Sequence, residues 1–227
     1  MEEGRERARA AVSAGQAAPG RRAVLTERDG RLLNVVGEQY AVTAAQLARL
    51  LGRPESHAVY LRDRWVRAGW ASCARLTYLL PSLIWLTAEG SAVAASPYRP
   101  WQPKVALAVH IAAVTNVRLV LAHELELGEW LCERALRHAA PAREARKHLP
   151  DALLETGGDR VAIEVELTSK GRDRTEAIMG ELALEHDQVW YFAAPPTRRL
   201  LDQLAGESPW QNVRVYPYPV GPPDLLA

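Results

Sequence analysis

Two cysteines in 227 residues, Cys73 and Cys132, stand far apart in apolar company, forming neither a disulfide framework nor a CxxC zinc pair. They read as reduced core residues. Long hydrophobic runs are missing too: the stretches Cys73 to Glu89 and Val105 to Leu121 are interrupted by Arg, His, Pro or Asn. With no run of about 18 uncharged apolar residues, no transmembrane helix and no membrane partner are expected. Met1 to Gln16 carries charges where a signal peptide would have its apolar core, so a cytoplasmic protein is expected. Nor does one sign of charge dominate, with 28 Lys+Arg against 27 Asp+Glu. The distribution is uneven, however. Residues 1–101 hold 14 Arg and 9 acidic side chains, a balance of +5, and residues 102–227 hold 14 basic and 18 acidic, a balance of −4. A mildly basic first half suits a polyanion, and an acidic second half with basic clusters suits metal ions beside one.

Residues 1–23 lack a sustained apolar stripe and read as a disordered arm. A helical period then places Leu32, Leu33, Val35 and Val36 on a first helix ending near Tyr40. Thr43 to Gln46 matches a capping box and opens a second helix, which Gly52 stops. A third runs from about Pro54, as a first-turn proline, to Gly69. Two β-leaning runs follow, Trp70 to Leu80 and Leu83 to Leu86, and then the LTAEG sequence ending at Gly90. Prolines between Ser96 and Lys104 mark a boundary, and a long helix from Val105 to about Leu121 has too thin a polar face to be exposed. The resulting division is an arm (1–23), a first domain (24–95), a linker with connecting helix (96–122), a second domain (123–220) and a tail (221–227). The proline-rich end, residues 207 to 227, could pack on another subunit as a homodimer.

In the third helix Ala58, Leu61, Trp65 and Ala68 make the buried stripe, leaving His57, Tyr60, Arg64 and Arg67 on a neighbouring face. Arginines there suit phosphates and guanine edges, and Arg53 and Arg75 flank them as further DNA-contacting candidates. Three helices and then a hairpin, with the LTAEG ending, resembles a winged-helix DNA-binding domain. The plainer reading is that these arginines are simply solvated.

The chemistry concentrates between His148 and Gly171. Val161, Ile163, Val165 and Leu167 alternate with Ala162, Glu164, Glu166 and Thr168, so a strand would carry two carboxylates on one face. Gly157-Gly158 turns a hairpin that brings Asp151 beside Glu164. Three hard oxygen ligands suit Mg²⁺ or Mn²⁺, and such a site activates water against a phosphodiester. The plainer reading is an ion-pair network with Arg146, Arg172 or Arg174. Around the acids lie Arg134, Arg137, Arg143, Arg146, Lys147 and His148 on one side and Lys170, Arg172 and Arg174 on the other, a rim suited to a nucleic-acid backbone. His110 reads as a hydrogen-bonded packing residue.

Pro150-Asp151 followed by Glu164-x-Glu166 resembles the PD-(D/E)xK nuclease superfamily, in which an Asp and an acid-x-Lys pair line the metal site. Glu166 stands where lysine is usual, while Lys170 could swing back from the strand end. The resemblance implies an α/β core, continued here by a helix from Arg172 to Leu184, a strand from Gln188 to Phe192, a helix from Thr197 to Leu204 and a strand from Asn212 to Tyr216. It also implies catalytic roles for Asp151, Glu164, Glu166 and Lys170, and metal ligation by the three acids with Glu133 as a fourth, unless Glu133 merely pairs with Arg137. The whole arrangement, from about residue 30 to 195, is similar to the replication-relaxation proteins of plasmids and integrative elements. The similarity is carried by LTAEG, His110 to Val114, Glu129 to Arg134, Leu149 to Asp151 and Ala162 to Lys170.

The fold expected is therefore α+β, a winged helix followed by a nuclease-like α/β domain. Three functions fit it. The first is a DNA-binding protein controlling mobile-element replication or transfer, its partners duplex DNA and replication or mobilisation proteins. The second is an active Mg²⁺-dependent endonuclease. The third is a transcription repressor whose C-terminal domain senses a ligand.

Overall fold

The computed structural model describes residues 24–141, 148–207 and 209–219. The arm, the tail and the rim residues Arg143, Arg146 and Lys147 lie outside them. The chain is α+β, with helices packed on two sheets.

Helix α1 (Glu27–Glu38) starts at Thr26, whose hydroxyl accepts from Asp29 N while the Asp29 carboxylate accepts from Thr26 N. Leu32, Leu33 and Val36 point into the core. After β1 (Val42–Thr43), helix α2 (Ala44–Leu51) has the expected Thr43–Gln46 box and ends on Gly52 in the left-handed region. Helix α3 (Glu55–Arg67) begins after Pro54, which caps it rather than entering the first turn, and buries Ala58, Leu61 and Trp65. Strands β2 (Ala71–Ala74) and β3 (Leu83–Leu86) complete an antiparallel sheet of order β1-β3-β2. The first hairpin strand is shorter than expected. Past Ala74 the chain closes on itself, because the Arg75 guanidinium donates to Thr77 O (3.3 Å) and Tyr78 O (3.0 Å). Helix α4 (Ala88–Val93) is capped by Thr87, and its Gly90 touches backbone so closely that a Cβ would sit 1.7 Å from Trp70 O.

Helix α5 (Val105–Arg118) continues as a π-helical segment, Leu119–Glu124. This corrects one expectation: Val105–Glu124 is a 20-residue helix long and apolar enough to cross a membrane. The scattered His, Asn and Arg do not offset its aliphatic content. Both flanks of the helix are used inside the protein. Ala113, Val117 and Leu121 pack on the large sheet, and Ala108 and Ile111 meet Ala41, Leu83 and Trp101. The Gln46 side-chain amide also donates to Ala112 O (2.7 Å), tying α2 to α5.

The large sheet runs in chain order: β4 (Glu129–Cys132), β5 (Ala152–Thr156), β6 (Asp159–Glu166), β7 (Gln188–Ala193) and β8 (Val213–Pro217). The first three are antiparallel and the last three parallel. Helix α6 (Glu133–Ala139) follows β4, while α7 (Arg172–Glu185) and α8 (Pro195–Glu207) carry the chain between parallel strands. The predicted alternation in β6 holds: Val161, Ile163 and Val165 pack toward α5, and Ala162 packs toward Met179, Leu182 and Leu201 of α7 and α8. Because both faces of β6 are covered, Glu164 and Glu166 are drawn into the interior, 3% and 6% exposed.

Candidate functional site

Hairpin register assembles the acids. Ala152 pairs with Ile163, so Asp151, one step beyond the strand, reaches the level of Glu164. Its Oδ2 accepts from Val165 N (2.8 Å), and its Oδ1 pairs with His110 Nε2 (2.8 Å). Glu164 Oε1 pairs with His148 Nε2 (2.9 Å), and Glu166 Oε2 with Lys170 Nζ (2.7 Å). Lys170 does swing back to the strand end. Arg146 of the expected network lies outside the described residues; among these, Arg172 pairs instead with Glu207, and two histidines and a lysine hold the acids. His110, expected only to pack, thus belongs to the cluster.

Electrostatics in this cluster are strained. Burial, and then the charge of Asp151, push the Glu164 carboxyl up to about 7 against the opposing bond from His148. The His148 imidazole is raised by its bond to Glu164, and burial only partly offsets this. For His110 burial works downward, but the bond to Asp151 and the surrounding negative charge prevail and raise it. Tyr191 of β7, in register with Glu164, is 1% exposed and its hydroxyl has no hydrogen-bond partner among the described residues. Burial and the charges of Glu164, Glu166 and Asp151 push that hydroxyl up. A buried donor left unmade costs about 1–3 kcal/mol, which marks a place for an acceptor.

Among the described residues no three His, Cys, Asp or Glu side chains converge as a metal-ligand set. The expected quartet is therefore not assembled. Glu133 takes the alternative of pairing with Arg137: its carboxylate also accepts from Tyr40 Oη (2.8 Å), and its backbone N donates to Asp151 O (3.1 Å). Glu166 is held by Lys170. Asp151 and Glu164 remain as two adjacent hard-oxygen donors, and Mg²⁺ sites are commonly built from one or two carboxylates with water and phosphate completing the shell. The raised Glu164 and the orphaned Tyr191 hydroxyl fit that use.

The expected DNA face is divided. Arg53, His57 and Tyr60 are exposed and line a cavity of about 450 Å³ with Arg28, a residue of α1 that the periodicity of α3 alone did not single out. Arg64 is withdrawn from this face. Its guanidinium binds Asp29, which is fully buried and also accepts from Trp65 Nε1 (3.1 Å). Arg67 is exposed and donates to Asp63 O (3.2 Å). Arg75 braces the loop that leaves Tyr78 and Leu79 projecting.

A larger cavity of about 700 Å³ opens between α5, the end of α1 and the start of α6, lined in part by Trp101, Lys104, Ile111, Arg137, His110 and Asp151. Arg134 forms part of its wall, with its guanidinium 4.6 Å from the Tyr40 ring centre and 4.9 Å from that of Tyr98. Comparison with protein-family models, curated proteins and solved structures finds no match to the chain.

Proposed function

We propose that this chain is a DNA-binding protein in which a winged-helix unit brings duplex DNA to a PD-(D/E)xK-like carboxylate site, in the service of mobile-element replication or transfer. The observation that carries the proposal is the Asp151–Glu164 pair, a half-buried and a buried acid held at one end of a hairpin, with Glu164 pushed toward neutrality. Supporting it are three helices followed by a short hairpin, and the outward-facing Arg28, Arg53, His57 and Tyr60, a set suited to phosphates. Further support comes from the large sheet, where helix–strand–helix–strand follows the acids in the order the resemblance implies.

When bound, a divalent ion supplies a more acidic water and stabilises charge on the phosphate. Asp151 and Glu164 would hold it. His110 and His148 orient these carboxylates, and Lys170, fixed by Glu166, keeps positive charge at the edge where a phosphate would arrive. The Tyr191 hydroxyl would donate to whatever acceptor enters.

The second reading is an active endonuclease, which the Lys170–Glu166 pairing favours because it returns a lysine to the acid cluster. The test is incubation with supercoiled, linear and single-stranded DNA in Mg²⁺ or Mn²⁺, beside Glu164→Ala. Cleavage lost in the variant establishes the enzyme, and DNA retained without cleavage establishes a binding protein on this scaffold. Neither retention nor cleavage overturns both.

A further inference from the structure

We infer that the cavity between α5, the end of α1 and the start of α6 receives a single nucleotide, its base unstacked and its phosphate held by Arg99 and Lys104. The inference rests on the proposed DNA binding and names the part of the DNA that enters.

The cavity's volume, about 700 Å³, falls in the range of about 300–1,000 Å³ typical of small-ligand sites, so it suits one nucleotide rather than a helix of stacked pairs. One wall is apolar, made by Trp101, Leu107, Ile111 and Val114, a surface against which a base can lie. Arg99 and Lys104 line the same cavity, both exposed and without an ion pair among the described residues. Part of the lining is already tied down. Arg134 lies between the Tyr40 and Tyr98 rings and bonds to Gly37 O and Arg99 O, which fixes the backbone that presents the Arg99 side chain. Order in the empty pocket lowers the cost of filling it.

Asp151 and His110 line this same cavity while belonging to the acid cluster, so a nucleotide seated there lies next to the carboxylates. A base in an intact duplex faces inward and stacks on its neighbours. Only one turned out of the helix, or one in a single strand, can present its face to Leu107 and Trp101, and extrusion is easiest where pairing is already lost. The protein should therefore prefer DNA with an unpaired nucleotide over the same DNA fully paired.

The experiment measures binding of the full chain, in Ca²⁺ to avoid cleavage, to a paired duplex, the same duplex with one bulged nucleotide, a single strand of the same sequence, and free dAMP. A preference of about tenfold for the bulge over the paired duplex is expected, the worth of one stacked base. Leu107→Trp, which fills the cavity from an exposed position, should abolish that preference and leave paired-duplex binding unchanged. Lys104→Gln should reduce it. Competition by dAMP that Leu107→Trp removes, with no preference among the oligonucleotides, assigns the pocket to free nucleotide. Equal binding of bulged and paired duplex without dAMP competition overturns the inference while leaving DNA binding intact. A preference that survives Leu107→Trp overturns it equally. Failure to bind any DNA overturns instead the function on which it rests.

Discussion

His110 Nε2 stands 2.8 Å from Asp151 Oδ1, joining the helix packed between the two sheets to the first residue of the acid hairpin. The contact links two parts of the chain 41 residues apart and leaves the Asp151 carboxylate with one partner from each, since its other oxygen accepts from Val165 N.

That bond gives a pH signature. The imidazole of His110 is raised when folded, so its contribution to stability is fully present below its ordinary value of 6.5 and is lost as pH rises through the folded value. His110→Ala should cost about 1 kcal/mol near pH 6, a figure discounted because the side chain is partly exposed, and progressively less as pH rises through the raised folded value. Urea denaturation of both proteins across that range is the check; a loss independent of pH would show that His110 only fills space.

Arg64 makes a second test, because its neighbours turn a DNA-contact candidate into a structural one. Burial pushes the Asp29 carboxyl up, yet its bonds with Thr26, Trp65 and Arg64 prevail and hold it below its ordinary value. Removing Arg64 leaves a buried carboxylate short of a partner, so Arg64→Ala should lower stability by about 3 kcal/mol or more. Arg53→Ala, at an exposed position, should leave stability within about 0.5 kcal/mol and weaken duplex binding. Thermal unfolding and gel retardation separate the two. The Asp29 stabilisation is present above its unfolded value of 3.8 and lost as pH falls through the lower folded value, so the Arg64→Ala defect should narrow only in strong acid.

What the sequence revealed and what it concealed divide along the range of the interactions. Thr43 with Gln46, Gly52 and the alternation from Val161 to Leu167 are local signals, because capping, left-handed backbone and strand period each act within a few residues. The α+β alternation of the second half followed from the same signals. Asp151 beside Glu164 was legible as well, through the length of the hairpin. Arg64 was misplaced because helical period ranks faces by exposure, and Asp29, 35 residues away, was not visible to it. His110 looked like a packing residue since its partner lies on another element, and Tyr191 carries no local mark that separates an orphaned hydroxyl from an ordinary core tyrosine. The apolar length of Val105–Glu124 was underestimated because interrupting polar residues were counted and mean composition was not.

Glu164 offers the strongest link between stability and the proposed ion. Its carboxyl is pushed up to about 7 from 4.5, first by burial and then by Asp151, so the folded protein binds that proton more tightly than the unfolded chain does. The resulting stability is fully present below pH 4.5 and is lost as pH rises through about 7, a change of about 3 kcal/mol at most. Glu164→Gln keeps a neutral side chain of the same shape and should be more stable than the wild type at pH 8 without divalent ions, the difference closing toward pH 5. A bound cation offsets the charge that burial opposes, so millimolar Mg²⁺ should raise the wild-type melting temperature at pH 8 and leave Glu164→Gln unmoved. An equal response to Mg²⁺ in both proteins would place the ion elsewhere and detach the acid pair from metal chemistry.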